Sequence, residues 1–380
     1  MLSTTLAGAS SSLPLTVGQT YQANGRAAAL LPVGNTIYLA GSFTSLRPYG
    51  AARGTGEVAR NHLAAVDRAT GQLLPWNPGA NKEAYALAAS PDGSTIYVGG
   101  LFSQVSGQSR LKVAAFSSAT GVLTKWAPSA NNKVFAIAVT GSRVYLGSTF
   151  TTINGVARAN AASVDTNGSL DAAWHPSLSA PVRALLASAS GASIYAGGDF
   201  VSVNGDTKQK HLVSLSASTA LVQSRLFHPG YPVYDLTADA TTMYMAGNGS
   251  GGNAASASLA TGAKGWSVQT DGGIQAISVL NGSVYIGGHF DNVCPTGVAP
   301  GGITGYHCTG SQLTRHKILA VDASTGSLDP WAPGANSPLG VFALTTSGGG
   351  LQVGGDFTKL GKPDALGQAT HAQQGYGQFA

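Results

Sequence analysis

The chain has 380 residues, 52 of them Gly and 17 Pro, and is 43% hydrophobic but only 10% charged. That balance excludes a charge-driven disordered chain and a coiled coil, and no apolar run reaches the ~18 residues that a membrane-spanning helix needs. The net charge of +5 is spread thinly, with no Lys/Arg run and no aromatic–basic cluster of the kind that binds nucleic acid.

In chain order, Met1 to Leu13 has no positively charged start and no sustained apolar stretch, so it does not read as an intact signal peptide. Residues 1–12 are expected to be a disordered leader. A strand-like segment, Leu13–Tyr21, follows. Then a unit begins that recurs to the end of the chain. Its mark is Tyr38-Leu-Ala-Gly-Ser-Phe43, repeated at Tyr97–Phe102, Tyr145–Phe150, Tyr195–Phe200 and Tyr285–Phe290, with a degenerate copy at Tyr244–Gly249 and a last one at Gln352–Phe357. Repeats at such a period mean a repeat architecture.

Each copy divides into four strand-like pieces. A small-residue run comes first, as in Val134-Phe-Ala-Ile-Ala-Val139 and Val182-Arg-Ala-Leu-Leu-Ala187. The Tyr-marked strand is second, and a run such as Leu63-Ala-Ala-Val-Asp67 is third. A piece with a Leu shortly before Trp-x-Pro is fourth, at Trp76, Trp126, Trp174 and Trp331, with Phe227 in the fourth copy and Trp266 without the Pro in the fifth. Turns such as Asp67-Arg-Ala-Thr-Gly71 join the third and fourth pieces, and Asn154-Gly155 and Asn204-Gly205 join the second and third. No stretch has a helical apolar period. The expectation is an all-β fold: one seven-bladed β-propeller spanning 1–380, with four-stranded blades and the N-terminal strand closing the last blade. The last copy lacks a fourth piece, and Leu13–Tyr21 would supply it, leaving no open edge. The Trp series is expected to pack between blades.

These residues resemble the bacterial delta-60 repeat propellers of secreted proteins. The resemblance rests on Val-Tyr-Leu-Gly-Ser-Thr-Phe-Thr-Thr-Ile-Asn-Gly at 144–155, on Leu63-Ala-Ala-Val-Asp-Arg-Ala-Thr-Gly71, on Gly354-Gly-Asp-Phe357 and on Gln-Gly-Tyr-Gly-Gln-Phe at 374–379. It covers nearly the whole chain. It implies a secreted or surface-attached propeller and brings no catalytic residues.

Cysteine usage points to the same compartment. Cys294 and Cys308 are the only two, and they bound one Gly-rich segment. Their spacing is not a zinc pattern. A disulfide closing a surface loop is favoured over two free thiols, and that indicates an extracellular, oxidising setting.

Catalytic motifs are absent. There is no Gly-x-Ser-x-Gly elbow, no P-loop, no His-Glu-x-x-His and no calcium loop. Only two Glu occur, Glu57 and Glu83, so a Glu-based glycosidase pair is nearly excluded. No cofactor and no metal is expected. A basic residue recurs before the third strand, at Arg60, Arg110, Arg158, Lys208 or Lys210, and Arg315. It either caps carbonyls or forms a basic rim.

Departures from a repeat carry sites more readily than its matches, because irregular loops sit on a rigid scaffold. Three departures provide the candidates. The first copy has an insert, Leu46 to Asn61, with Tyr49 and Arg53. The sixth has the cysteine-bounded insert with Tyr306 and His307. The fourth-to-fifth junction carries His228, Tyr231, Tyr234 and Asp235, with Asp235 at a position held by Ala136, Ala184, Ala276 and Ala343 in other copies. Asp235 either belongs to a site or fills a gap between blades. Alternation along the strand would point Tyr234 and Asp235 in opposite directions. The fifth copy is also short at its next loop, which should leave a notch. The leading expectation is a secreted, monomeric binding module for a glycan or an extracellular protein. An enzyme at the channel mouth, using Asp235, Tyr234 and His228, is the second, and a structural scaffold of an envelope assembly the third.

Overall fold

In a computed structural model the described residues are 13–224, 227–249, 251–294 and 312–380. They form antiparallel sheets that share one strand order, first–second–third in the chain. The innermost strands are Ala27–Val33, Ala84–Ala89, Val134–Thr140, Val182–Ala187, Val233–Ala238, Ile274–Leu280 and Val341–Ser347. Each packs against the innermost strand of the next unit, and Val341–Ser347 packs against Ala27–Val33, so the ring closes.

Turn chemistry sets the strand ends. Asp67 Oδ1 accepts from Thr70 N at 2.8 Å, and Gly71 has φ 68°. At Asn154-Gly155 both residues have positive φ, 50° and 76°, as a tight two-residue hairpin requires.

The fourth pieces depart from expectation. In five units they are reduced to single bridges, Val66–Leu73, Phe116–Leu123, Val164–Leu170, Leu215–Val222 and Val321–Leu328. The physical reason lies in the Trp-x-Pro sequence, because Pro has no N–H to extend a ladder. The fifth unit lacks that Pro and has a full fourth strand, Lys264–Thr270. Its second and third strands, Thr242–Gly249 and Gly251–Ser258, are long and joined tightly, without the rim loop of the other units.

The Trp side chains lie between units. Tyr38 and Trp76 meet edge-on with centroids 5.0 Å apart, as do Tyr145 and Trp174, a geometry worth about 1 kcal/mol beyond burial. Trp76 Nε1 donates to Ser117 O at 3.0 Å and Trp126 Nε1 to Asp165 O at 2.9 Å, each a turn of the next unit.

The N-terminal segment reaches the last sheet, but not as a regular strand. Gly18 N donates to Gln378 O at 2.8 Å, while Tyr21 N donates to Gly71 O at 2.9 Å. The segment is thus shared between the seventh and first units, which bends it away from a continuous ladder. Leu13 and Val17 are buried in one cluster with Trp331, Leu360 and Phe379.

The basic series resolves as caps. Nη2 of Arg60, Arg110, Arg158 and Arg315 reaches the carbonyls of Leu74, Thr124, Asp171 and Asp329, at 3.0 to 3.4 Å. In the fourth unit the matching position is Gln209, buried, rather than Lys208 or Lys210. Just after these positions His62, Lys112, Asn160, His211 and Lys317 adopt positive φ, from 63° to 71°. Side chains at one junction position also hold the rim loops, as where Asn81 Oδ1 accepts from Ser103 N and Gln104 N. Asn24, Asn131 and Asn336 repeat this contact. The positive-φ positions and the junction Asn series were not expected from the sequence.

Candidate binding site at the channel mouth

Each innermost strand carries a register shift near its start. The shifts fall between Ala27 and Ala29, Ala84 and Ala86, Val134 and Ala136, Val182 and Ala184, Val233 and Asp235, Ile274 and Ala276, and Val341 and Ala343. A bulge leaves one residue unpaired and re-aims its side chain. Those residues are Ala28, Tyr85, Phe135, Arg183, Tyr234, Gln275 and Phe342. With Arg26 they line one cavity of about 330 Å³ at the mouth of the axial channel. All of them keep part of their surface exposed.

The aromatic rings are held in place by cations. Arg183 lies 5.0 Å from the Phe135 centroid and 5.3 Å from that of Tyr234. Lys133 Nζ lies 4.9 Å from Phe135, and Arg26 lies 4.6 Å from Phe342. The two arginines are themselves paired. Arg183 Nε and Nη2 donate to Asp199 Oδ2 at 3.0 and 2.7 Å, and Arg26 Nη2 to Glu83 Oε2 at 3.1 Å. Burial, then the neighbouring Glu83, pushes the Tyr85 hydroxyl up to about 12, so it stays protonated. His289 is held neutral chiefly by burial. Its Nε2 accepts from Gly273 N at 3.0 Å, and its Nδ1 lies 3.3 Å from Gln275 Nε2.

A second cavity, about 240 Å³, lies directly beneath, lined by the innermost strands. In the two-residue hairpin after Ala27–Val33 the pair Val33–Thr36 closes the ladder, so Leu31–Tyr38 and Ala29–Ala40 are hydrogen-bonded and Leu30–Leu39 is not. Leu30 therefore turns its N–H and C=O toward the axis. The same register does this at Leu87, Ile137, Leu185, Leu236, Ile277 and Leu344.

Asp235 sits at this level. Its Oδ1 accepts from Leu236 N and its Oδ2 from Ile277 N of the next unit, both at 2.9 Å. It retains surface on the channel, yet protein surrounds it, and burial pushes its carboxyl up to about 7 despite the two N–H donors. Tyr234 and Asp235 both line the channel, contrary to simple alternation, because the bulge falls between Val233 and Asp235.

The other expected site residues lie apart. Tyr231 is buried in the cluster with Phe227 and Tyr195, its hydroxyl without a hydrogen-bond partner among the described residues. His228 is exposed beside Phe227. Tyr49 stacks on His371 at 5.5 Å, and Arg53 is exposed near Glu57. Tyr306, His307 and Cys308 lie outside the described residues, and with them the expected disulfide; Cys294 is 4% exposed. Among the described residues no three His, Cys, Asp or Glu converge as a metal site would need. Tyr85, Phe135, Arg183, Gln275 and Phe342 were not singled out from the sequence. The signal was present as the variable residue between Val and Ala in runs such as Val134-Phe-Ala and Val182-Arg-Ala.

Comparison places this architecture among known folds. The chain is similar to the computationally designed Ika8 protein, with a TM-score of 0.56 and 14% identity over 94% of this chain and 91% of that one. It is also similar to the WD40 β-propeller domain of Doa1, with a TM-score of 0.57 and 11% identity over 93% of this chain and 100% of that one. The fold is a β-propeller. No family model matches the chain, and no curated protein matches it. At such identities the likeness concerns the propeller fold alone.

Proposed function

We propose that this chain is a secreted, monomeric, seven-bladed propeller of the delta-60 repeat type, and that it is a binding module whose ligand, a glycan, docks at the channel mouth. One observation carries the reading: every innermost strand is bulged at the same place and aims its unpaired residue into one mouth. The frame around that residue is small and apolar in nearly every blade, while the aimed residue differs: Ala28, Tyr85, Phe135, Arg183, Tyr234, Gln275, Phe342. Structural demands would be met by one residue type throughout. A cavity of about 330 Å³ is within the range of ligand pockets, and aromatic rings with a few fixed polar groups suit a sugar. A glycan array probed with the native protein and with a Phe135→Ala/Tyr234→Ala double variant tests this. Retention of specific glycans by the native protein and its loss in the variant is the expected result. Equal retention by both, or none by the native protein, removes the reading.

A second reading, an enzyme at the same mouth, is favoured by Asp235, an acid with its pKa raised to about 7 beneath the opening. Against it, both carboxyl oxygens are engaged by main-chain N–H groups. Turnover of any array glycan that is abolished by Asp235→Asn would establish the enzyme.

A further inference from the structure

We propose that the mouth and the channel beneath it take a neutral sugar residue end-on, as the terminal unit of a glycan. This deepens the reading above and rests on the mouth being the binding site.

The axis-facing main chain is the first argument. Each residue at that level presents an N–H and a C=O together, as at Leu30, Leu87 and Ile137. A hydroxyl both donates and accepts, so it can use such a lining from either side. A carboxylate only accepts and would face the carbonyls. An ammonium only donates and would face the N–H groups. Asp235 already occupies two donors, those of Leu236 and Ile277. The donors opposite it are left for the incoming group.

The ion pair at the rim is the second. Arg183 spends Nε and Nη2 on a single oxygen of Asp199. Among the described residues its Nη1 and the other Asp199 oxygen have no hydrogen-bond partner. One donor and one acceptor thus remain on a pair whose charges offset each other, and a hydroxyl can serve either. The charge of Arg26 is likewise offset by Glu83.

Shape is the third. Tyr85, Phe135, Tyr234 and Phe342 form apolar walls around the opening, and the cavity of about 240 Å³ continues below it between the innermost strands. A ring with apolar C–H faces and a hydroxylated edge would enter tip first, its faces on the aromatic walls.

Saturation-transfer NMR tests this with five probes: the methyl glycosides of glucose, galactose and mannose, methyl glucuronide as the anion, and glucosamine as the cation. Transfer to at least one neutral glycoside is expected, with binding of the charged sugars about tenfold weaker or less. Phe135→Ala and, on another wall, Phe342→Ala should each abolish it. Transfer confined to a charged sugar, and lost in Phe135→Ala, overturns the neutral-sugar inference while the mouth stands. Transfer to neutral glycosides that survives both variants overturns the mouth as the site. No transfer to any of the five overturns the inference.

Discussion

Arg47 Nη1 donates to Gln374 Oε1 at 2.9 Å, joining residues 327 positions apart. Its Nη2 donates to Gln22 Oε1 at 3.1 Å, and Gln374 N donates to that same oxygen at 3.2 Å. Arg47, only 7% exposed, comes from the first-unit insert, so that insert is a clasp on both chain ends. Gln352 is fully buried where most other units carry the marked Tyr, and Gln373, also fully buried, stands at the position of the capping Arg60. The seam thus adds buried side-chain amides to its apolar cluster.

Arg47→Ala should lower stability by about 1.5–3 kcal/mol, the scale of a lost hydrogen bond to a charged group, and leave one cooperative unfolding transition. Removing residues 1–21 should lower the melting temperature further, because Leu13 and Val17 leave the cluster around Trp331 and Phe379. Calorimetry reads both. A truncated chain that melts like the full one, and stays monomeric, would show that the ring closes without the segment.

Gly147 has no room for a side chain, because a Cβ there would lie 2.6 Å from Val182 Cγ1 of the next unit. Gly99, Gly197 and Gly287 meet Val134, Val233 and Val341 in the same way. In the first unit that position is Ala40, and Ala84, not Val, begins the next innermost strand; both are in one cluster. Gly147→Ala should cost about 1–3 kcal/mol by overpacking, and adding Val182→Ala should restore part of it. Denaturant titration of the three variants decides. Strictly additive losses would mean that the two positions do not share that space.

Asp235 makes stability depend on pH. Its carboxyl is raised to about 7 from an ordinary 3.8, chiefly by burial. The folded state therefore holds a proton that the unfolded chain has released between those values, and stability falls as pH rises through that window. The effect is a few kcal/mol at most, at ~1.4 kcal/mol per pKa unit. Asp235→Asn should flatten the slope and sit below the native protein at pH ~5, since the hydroxyl oxygen of the protonated acid can still accept from Leu236 N or Ile277 N whereas an amide NH2 cannot. Unfolding free energies from pH ~4 to ~8 provide the comparison. Parallel curves for the two proteins would place the titration elsewhere.

We propose that Cys294 and Cys308 are joined in protein from an oxidising compartment. The bond would stabilise by roughly 3 kcal/mol as an upper guide for a loop of this length. Alkylation without reductant, followed by mass spectrometry, should find neither thiol modified. Two alkylated thiols would refute the pairing.

Much of the fold was legible in the sequence because a strand and its turns are local. The Tyr-marked motif, the Asp-x-x-Thr-Gly turns and the Asn-Gly dipeptides fall where the second strands and hairpins are. The fourth pieces were over-read: in five units a Leu and then a Trp or Phe recur, but the following Pro stops the ladder after one bridge. The candidate site was half legible. Tyr234 and Asp235 drew attention by breaking the repeat, whereas Phe135 and Arg183 did not, since each looked like one more residue of an apolar strand.

The amino-acid sequence alone determined the repeat, the order of strands in each unit and the residues that pack between units, because each depends on spacing within about fifty positions. Only the tertiary structure decided which residues face the axis. A bulge exists only relative to a partner strand, and one extra residue reverses the side toward which every later side chain points. The mouth, in turn, exists only once Val341–Ser347 has met Ala27–Val33 and the ring is closed.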